Sequence, residues 1–300
     1  MVYTEVKKKG KNKYYYRAKS VRKGDKILKE RKYLGVNLSQ KKLIQAENTA
    51  DEKLSLLEYL LSPEELKFLE KLKKGYAKEP KLNLEQRYEA FCAQFTYDSN
   101  AIEGNTLTLQ ETAHLLFEKT VPAHKSLREI NEALNHKQAF DFLLSYKKDI
   151  TKVLINHLHR LVVKDTLKPD LQDQVGKYRT LQVYIRGVDW TPPQPKEVPK
   201  EMKSLLFWYT QHKKKLHPLI LAAYFHAAFE GIHPFVDGNG RVGRLLLNFI
   251  LHKNKLPMVN IPNKQRLIYY KVLEQAQRKD NLHPLIELLL SLLKTSNIQF

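Results

Sequence analysis

The spacing of hydrophobic positions changes character about forty residues into this chain. Over residues 13–21 (KYYYRAKSV) aromatic and β-branched residues are dense enough for a strand. Turn formers at 10–12 (GKN) and 23–25 (KGD) punctuate it, and residues 27–34 read as a return strand. Residues 1–38 are therefore predicted to form a small antiparallel β ribbon of two or three strands. From Ser39 the spacing becomes helical. Ser39 can cap a helix running to Leu61. Ser62, Pro63, Glu64 and Glu65 make a second start, with a hydroxyl cap, proline in the first turn and acids at the positive end; Gly75 is a stop. Residues 39–81 are expected to be a helical linker, with a soft boundary at 71–81.

Residues 82–300 read as one mainly α core. Helical spacing recurs at 84–97, 130–146, 150–163 and 263–278. Two apolar runs, 216–229 (LHPLILAAYFHAAF) and 245–251 (LLLNFIL), have the look of buried helices. Residues 282–293 are apolar enough to be core or the face of a homodimer. One stretch breaks the pattern. Gln182, Tyr184 and Arg186 alternate with Leu181, Val183 and Ile185 before Gly187 and the proline-rich 191–195, which predicts a short β-hairpin.

Bulk properties narrow the class. A chain of 300 residues suffices for one large domain and an appendage. It has no apolar run of about 18 residues and no leader pattern, so a cytoplasmic chain outside the membrane is expected. One cysteine, Cys92, excludes an internal disulfide, and its apolar neighbours favour a buried structural thiol. The net charge is +20, and residues 1–35 carry half of it, with thirteen Lys or Arg against three Asp or Glu. Such an arm can steer nucleic acid or an acidic protein, or it can be a solvated ribbon whose tyrosines pack on what lies behind.

The chemistry concentrates between the two apolar runs, where residues 233–244 read HPFVDGNGRVGR. Gly238, Asn239 and Gly240 can adopt angles that point successive N–H groups into one concavity. A helix starting near Gly240 would aim its unpaired N–H groups and dipole at the same place. Arg241 and Arg244, three apart, add two positive charges on one helix face. Asp237 is an oxygen ligand suited to Mg²⁺, and His233 is the natural proton acceptor. Together they make a phosphate cradle with a base beside it. The two histidines at 157 and 159, two apart on a helix, read as structural rather than as metal ligands, and a metal-dependent hydrolase using His157, His159, His226 and Asp237 lacks any typical ligand spacing.

This stretch resembles the Fic-family signature HPFxDGNGRxxR at every fixed position. The resemblance covers about residues 85–290 and implies a Fic-type helical bundle with a β-hairpin flap. It implies transfer of AMP from ATP, with Mg²⁺, onto a Ser, Thr or Tyr hydroxyl of a target protein. Gly240 sets the chain apart from the kinase-type branch, which usually carries Lys there. By the same resemblance His233 is the catalytic base. Asp237 holds the metal, and Gly238, Asn239, Gly240, Arg241 and Arg244 hold the phosphates. Residues 99–105 (SNAIEGN) resemble the inhibitory motif [S/T]xxxE[G/N], which implies that Glu103, with Ser99, pairs with Arg244 and blocks productive ATP binding. Val183, Tyr184, Ile185 and Arg186 would line the nucleotide side of the flap, which offers an extended edge to the target; Arg186 stands where relatives often have Gly. Tyr269, Tyr270 and Gln277 would flank adenine and ribose, Gln277 standing for an Asn. The same site could remove AMP from a modified target through Glu103, or serve as a nucleotide sensor for a nucleic-acid-binding regulator built on residues 1–38. The donor base, UTP, GTP or CDP-choline included, is not fixed by the motif.

Overall fold

The structure, a computed structural model, describes residues 2–23, 26–53, 57, 60–76, 81–185, 188–278 and 281–295. It divides into two compact units, Met1–Ser62 and Pro63–Phe300. The composition shifts alone had placed boundaries at 38/39 and 81/82.

The first unit is a three-stranded antiparallel sheet in the order β1 (Val2–Lys9), β2 (Asn12–Lys23), β3 (Lys26–Val36), followed by α1 (Gln40–Lys53). Gly10 takes φ +60° at the β1–β2 turn, and a bulge lies at Tyr15/Tyr16. Side chains alternate between faces along each strand, and paired residues share a face. Thr4 and Arg17 are partners, and both meet Glu47 of α1: the Thr4 hydroxyl donates to it and Arg17 Nη1 lies 3.7 Å away. That contact identifies the face that α1 covers. Helix α1, expected to reach Leu61, is described as far as Lys53, and residues 54–56, 58 and 59 lie outside the described residues. The Leu60 N–H donates to the Leu57 carbonyl, and Leu60 and Leu61 are buried ahead of Pro63.

The second unit is helical. Its first helices are α2 (Pro63–Tyr76), α3 (Lys81–Ile102), the short α4 (Leu109–Ala113), α5 (Leu127–Ser145) and α6 (Lys152–Val162). They are followed by α7 (Val198–His212), α8 (Pro218–Ile232), α9 (Asn239–Lys253), α10 (Arg266–Arg278) and α11 (His283–Thr295). The centre is the pair α8 and α9. Every residue of α9 from Arg241 to Leu251 is buried, so this helix is enclosed on all sides; α3, α5 and α6 pack against it, as α7, α10 and α11 pack against α8. An enclosed helix must satisfy its polar side chains internally, and Asn248 does so by a two-way exchange with the Val259 backbone, at 2.9 and 2.8 Å.

Local signals place the helix starts. Thr108 with Glu111 and Ser126 with Glu129 form capping boxes at α4 and α5. Gly104, at φ +100°, lets the chain leave α3 immediately after Glu103. Helix α7 lay outside the expected set, although Val198, Met202, Leu205 and Tyr209 are helically spaced and all buried. The leucines of α11 are buried within this unit, which gives them a core role and leaves the dimer reading without support from that helix. Cys92 is fully buried and burial pushes its thiol up to about 12, so it is inert.

The hairpin expected at 181–186 is not formed as a ladder: among the described residues, 181–185 and 188–190 are irregular, without paired strands. Side chains take the place of cross-strand bonds. Gln182 Nε2 reaches the Pro192 carbonyl (3.1 Å), while Arg179 donates to the Leu181 (3.1 Å) and Pro193 carbonyls. Prolines 192, 193 and 195 supply no N–H, so the facing segment cannot pair regularly. Replacing Ser126 by Ala removes the cap of α5 and should lower unfolding stability by about 1 kcal/mol in a denaturant titration; no change would mean that Glu129 alone holds this helix end.

Candidate active site

His233 ends α8 in the left-handed region, at φ 51° and ψ 62°. A non-glycine residue held there costs about 1–3 kcal/mol and needs its surroundings to impose it. They do. Arg179, itself buried, donates from Nε to the His233 carbonyl (2.8 Å), and its backbone N–H donates to the Pro234 carbonyl (2.9 Å). Asn239 exchanges two hydrogen bonds with the Phe235 backbone, each 2.9 Å. Phe235 is fully buried and stacks face to face on His159, with centroids 3.8 Å apart.

His159 braces the loop from below. Its Nδ1 accepts the Gly176 N–H (2.9 Å), so the proton is on Nε2, which donates to the Asp237 carbonyl (3.1 Å). Burial pulls its pKa down to about 4 and keeps the ring neutral. The structural reading of this histidine therefore holds, and so does that of His157, which packs on Phe142. The same logic fixes the tautomer of His233. Its Nδ1 faces the Glu230 carbonyl at 3.3 Å and must donate, which leaves the Nε2 lone pair available. Burial lowers the His233 pKa to about 4, so the ring is a neutral base at physiological pH.

Helix α9 begins at Gly238, at φ +78°, with no side-chain cap on its first N–H groups. A Cβ on Gly238 would lie 2.7 Å from Val163 Cγ1, so the loop approaches α6 too closely for any other residue. Two residues on, a Cβ on Gly240 would lie 2.1 Å from Glu103 Oε1. The Glu103 carboxylate thus sits on the open N-terminal end of α9, in the place where the helix dipole favours an anion.

Arg244 closes this arrangement. It is 2% exposed, and donates from Nε to Ser99 Oγ (3.0 Å) and from Nη2 to the Ser99 carbonyl (2.8 Å) and Glu103 Oε1 (2.7 Å). Burial works against its charge, but the Glu103 carboxylate more than offsets it, and its pKa is raised. Arg241, also buried, turns the other way: Nη2 lies 3.3 Å from Asp237 Oδ1 and Nη1 3.4 Å from Glu132 Oε1. The two arginines, expected to act on one face, are each locked to a different acid. Arg128, which the sequence did not point to, completes the second set through Glu132 (3.1 Å) and Asp237 Oδ2 (3.3 Å). Its i,i+4 spacing to Glu132 was visible, but its reach to Asp237, across 109 positions, was not.

The remaining expected residues divide. Tyr270, partly exposed, donates to the Ile102 carbonyl (3.2 Å) beside Glu103, and Gln277 Nε2 donates to the Ala227 carbonyl (3.3 Å) near the end of α8. Tyr269 is 1% exposed, with its hydroxyl on His226 Nε2 (2.7 Å), and belongs to the core. Val183 and Ile185 are half-buried and Tyr184 is exposed; Arg186 lies outside the described residues. Asp237 is partly exposed, and among the described residues no group of three or more His, Cys, Asp or Glu could enclose a metal. A lone reachable carboxylate fits Mg²⁺ only where phosphate and water supply the other ligands.

The helical core thus presents a neutral imidazole beside an uncapped helix N-terminus on which the Glu103 carboxylate lies. Residues 149–251 match the Fic/DOC family model. A protein adenylyltransferase Fic of Nematostella vectensis is 37% identical over 192 residues, covering 62% of this chain and 44% of its own. The corresponding protein of Drosophila melanogaster is 38% identical over 193 residues, covering 62% and 38%. The chain thus spans less than half the length of these curated relatives. Among solved structures, a Fic-domain-containing signaling protein of Bacteroides thetaiotaomicron superposes with a TM-score of 0.69 at 29% identity, covering 76% of this chain and 93% of its own. Fic-1 (residues 134–508) of C. elegans gives 0.68 at 28% identity, covering 86% and 76%.

The buried titratable groups predict a pH optimum for stability. Burial pulls His159, His217 and His233 down to about 4 and His226 to about 3, and it lowers His136 as well. Between these values and the ordinary 6.5 the unfolded chain binds more protons, so stability falls as pH drops below about 6.5. Burial pushes the Glu230 carboxyl up to about 8, which has the opposite sign and removes stability as pH rises from about 4.5 to 8. Thermal midpoints should peak between pH 6 and 7, both limits being about a unit wide, with the steeper fall on the acid side. A midpoint constant from pH 7 to pH 5 would show that these histidines take up no protons on unfolding.

Proposed function

We propose that this chain transfers AMP from ATP to a hydroxyl side chain of another protein and is restrained by its own Glu103. The single observation that carries the reading is the Glu103 carboxylate lying over Gly240 and on Arg244, an anion held in a site made for anions. The names of the relatives, protein adenylyltransferases, support the same reaction.

In this reading the phosphates of ATP lie across the Gly238, Asn239 and Gly240 amides at the start of α9. His233 Nε2 takes the proton of a Ser, Thr or Tyr hydroxyl as that oxygen bonds to the α-phosphorus. The bond from the α-phosphorus to the bridging oxygen breaks, and pyrophosphate leaves. The α9 amides and Arg244 stabilise the negative charge that builds on the phosphate oxygens, and their orientation is set before substrate arrives. Asp237 would hold Mg²⁺ against the phosphates, where the ion would neutralise charge. Arg128 and Arg241 flank that carboxylate and hold it in place. Tyr270 and Gln277 flank the base side, and residues 183–185 form the outer wall where a target segment would lie. Glu103 must leave the cradle before a terminal phosphate can reach Arg244.

A second reading keeps the site and reverses the reaction. The Glu103 side chain is 37% exposed, so water reaches it, and a carboxylate there can orient water to release AMP from a modified hydroxyl.

His233→Ala should abolish transfer of label from α-labelled ATP, a loss of about 10²–10⁴-fold as expected for a general base. Glu103→Gly should raise transfer, self-modification included, by about tenfold or more, the factor that about 1.4 kcal/mol for a charge-assisted hydrogen bond represents. Equal transfer by wild type and Glu103→Gly would remove the restraint from the account. Free AMP released from a pre-modified target by wild type, and lost in Glu103→Gly, would establish the reverse direction.

A further inference from the structure

The first unit carries a face that the proposed reaction does not use. The register puts Tyr3, Glu5, Lys7 and Lys9 of β1 on the side of the sheet away from α1, together with Tyr14, Tyr16 and Ala18 of β2 and Lys29, Arg31 and Tyr33 of β3. The contacts confirm that these side chains share one face. Glu5 is paired to both Lys29 and Arg31, Tyr33 packs on Tyr16 and Tyr14 with centroids 5.4 and 6.5 Å apart, Lys7 lies 5.6 Å over the Tyr16 ring, and Lys29 lies 5.3 Å over Tyr3. Tyr33 is 52% exposed, and Lys7, Lys9, Lys29 and Arg31 are exposed.

Three features need a reason. Four tyrosines are gathered on the face turned away from the helix, whereas a sheet packed only for stability would bury its aromatics beneath it. The cations are interleaved with the rings rather than segregated from them. Glu5, the one acid on the face among the described residues, is held well below the usual carboxylate range, at about 2, by its hydrogen bonds to Lys29 and then Arg31, so it organises two cations without cancelling the excess. Four cations against one acid in a field of tyrosines complements a ligand with regularly spaced negative charge and flat, stackable groups between. An acidic peptide offers the charge but no rings for Tyr33 and its neighbours to stack on.

We propose that this face binds single-stranded nucleic acid, with Lys7, Lys9, Lys29 and Arg31 on the backbone phosphates and Tyr33, Tyr16 and Tyr14 stacking on bases. The proposal is independent of the nucleotide-transfer reading, because no residue of the α8–α9 site takes part.

The test uses the full chain and two triple variants of equal charge change. Lys7→Gln, Lys9→Gln and Lys29→Gln strip the tyrosine face; Lys8→Gln, Lys13→Gln and Lys32→Gln strip the face that α1 covers. Binding of labelled single-stranded DNA and RNA is followed by anisotropy across a salt series, with duplex DNA of the same sequence and poly-glutamate as further probes, and folding of each variant is checked by its thermal midpoint. The expected result is single-strand binding that weakens about tenfold in the first variant, with a salt slope shallower by about 2, and changes about twofold or less in the second. Tyr33→Ala should weaken binding by a further fivefold or so without altering the salt slope, since stacking releases no counterions. Equal losses in both triple variants would reduce the effect to bulk charge and overturn the proposal. So would preference for duplex or for poly-glutamate, or the absence of binding at low salt.

Discussion

The buried guanidinium of Arg244 is the constraint around which the catalytic unit is arranged. A permanent cation at 2% exposure, inside a helix enclosed on all sides, is tolerated only with full hydrogen bonding and a counter-charge. Ser99 supplies two acceptors from α3 and Glu103 supplies the charge from the first residue past that helix. Removing Glu103 leaves the cation needing another anion in the same place. The geometry around it admits one: Gly240 has no side chain, the first amides of α9 have no side-chain cap, and the helix dipole points outward there. In the proposed reading the lock and the substrate site are one anion site with two occupants.

The rest of the core holds that site still. His159 fixes the signature loop through the Asp237 carbonyl and by stacking on Phe235, Arg179 fixes the strained backbone at His233, and Asn239 folds the loop onto itself. None of these touches a reacting atom in the proposed chemistry. They hold the backbone that carries His233, while the Glu230 carbonyl determines which of its nitrogens carries a proton. Glu132 plays the matching part on the other side, where it pairs with buried Arg241 and exposed Arg128 and shares both with Asp237.

Much of this was legible in the sequence because the signals were local. The two buried helices and the loop of small residues between them each depend on neighbours within a few positions. The antiparallel ribbon was legible for the same reason, although its first strand, Val2–Lys9, is visible mainly through its pairing with β2. What was not legible depends on distant partners. Arg179 and His233 are 54 positions apart and Arg128 and Asp237 are 109 apart, and no spacing rule joins them. The alternation at 181–186 did not become a paired strand among the described residues, because the facing segment is rich in proline. Tyr269 was grouped with Tyr270 by adjacency, yet neighbours on a helix point about 100° apart, and one faces His226 while the other faces Ile102.

The claim that Glu103 and a phosphate compete for one site is tested most directly by a crystal structure of the Glu103→Gly chain with a non-hydrolysable ATP analogue and Mg²⁺. The account predicts a terminal phosphate oxygen where the Glu103 carboxylate stood, accepting from Arg244, with the α-phosphorus open to attack from the His233 side. A nucleotide bound with Arg244 still satisfied only by Ser99, and its phosphates away from the start of α9, would contradict it.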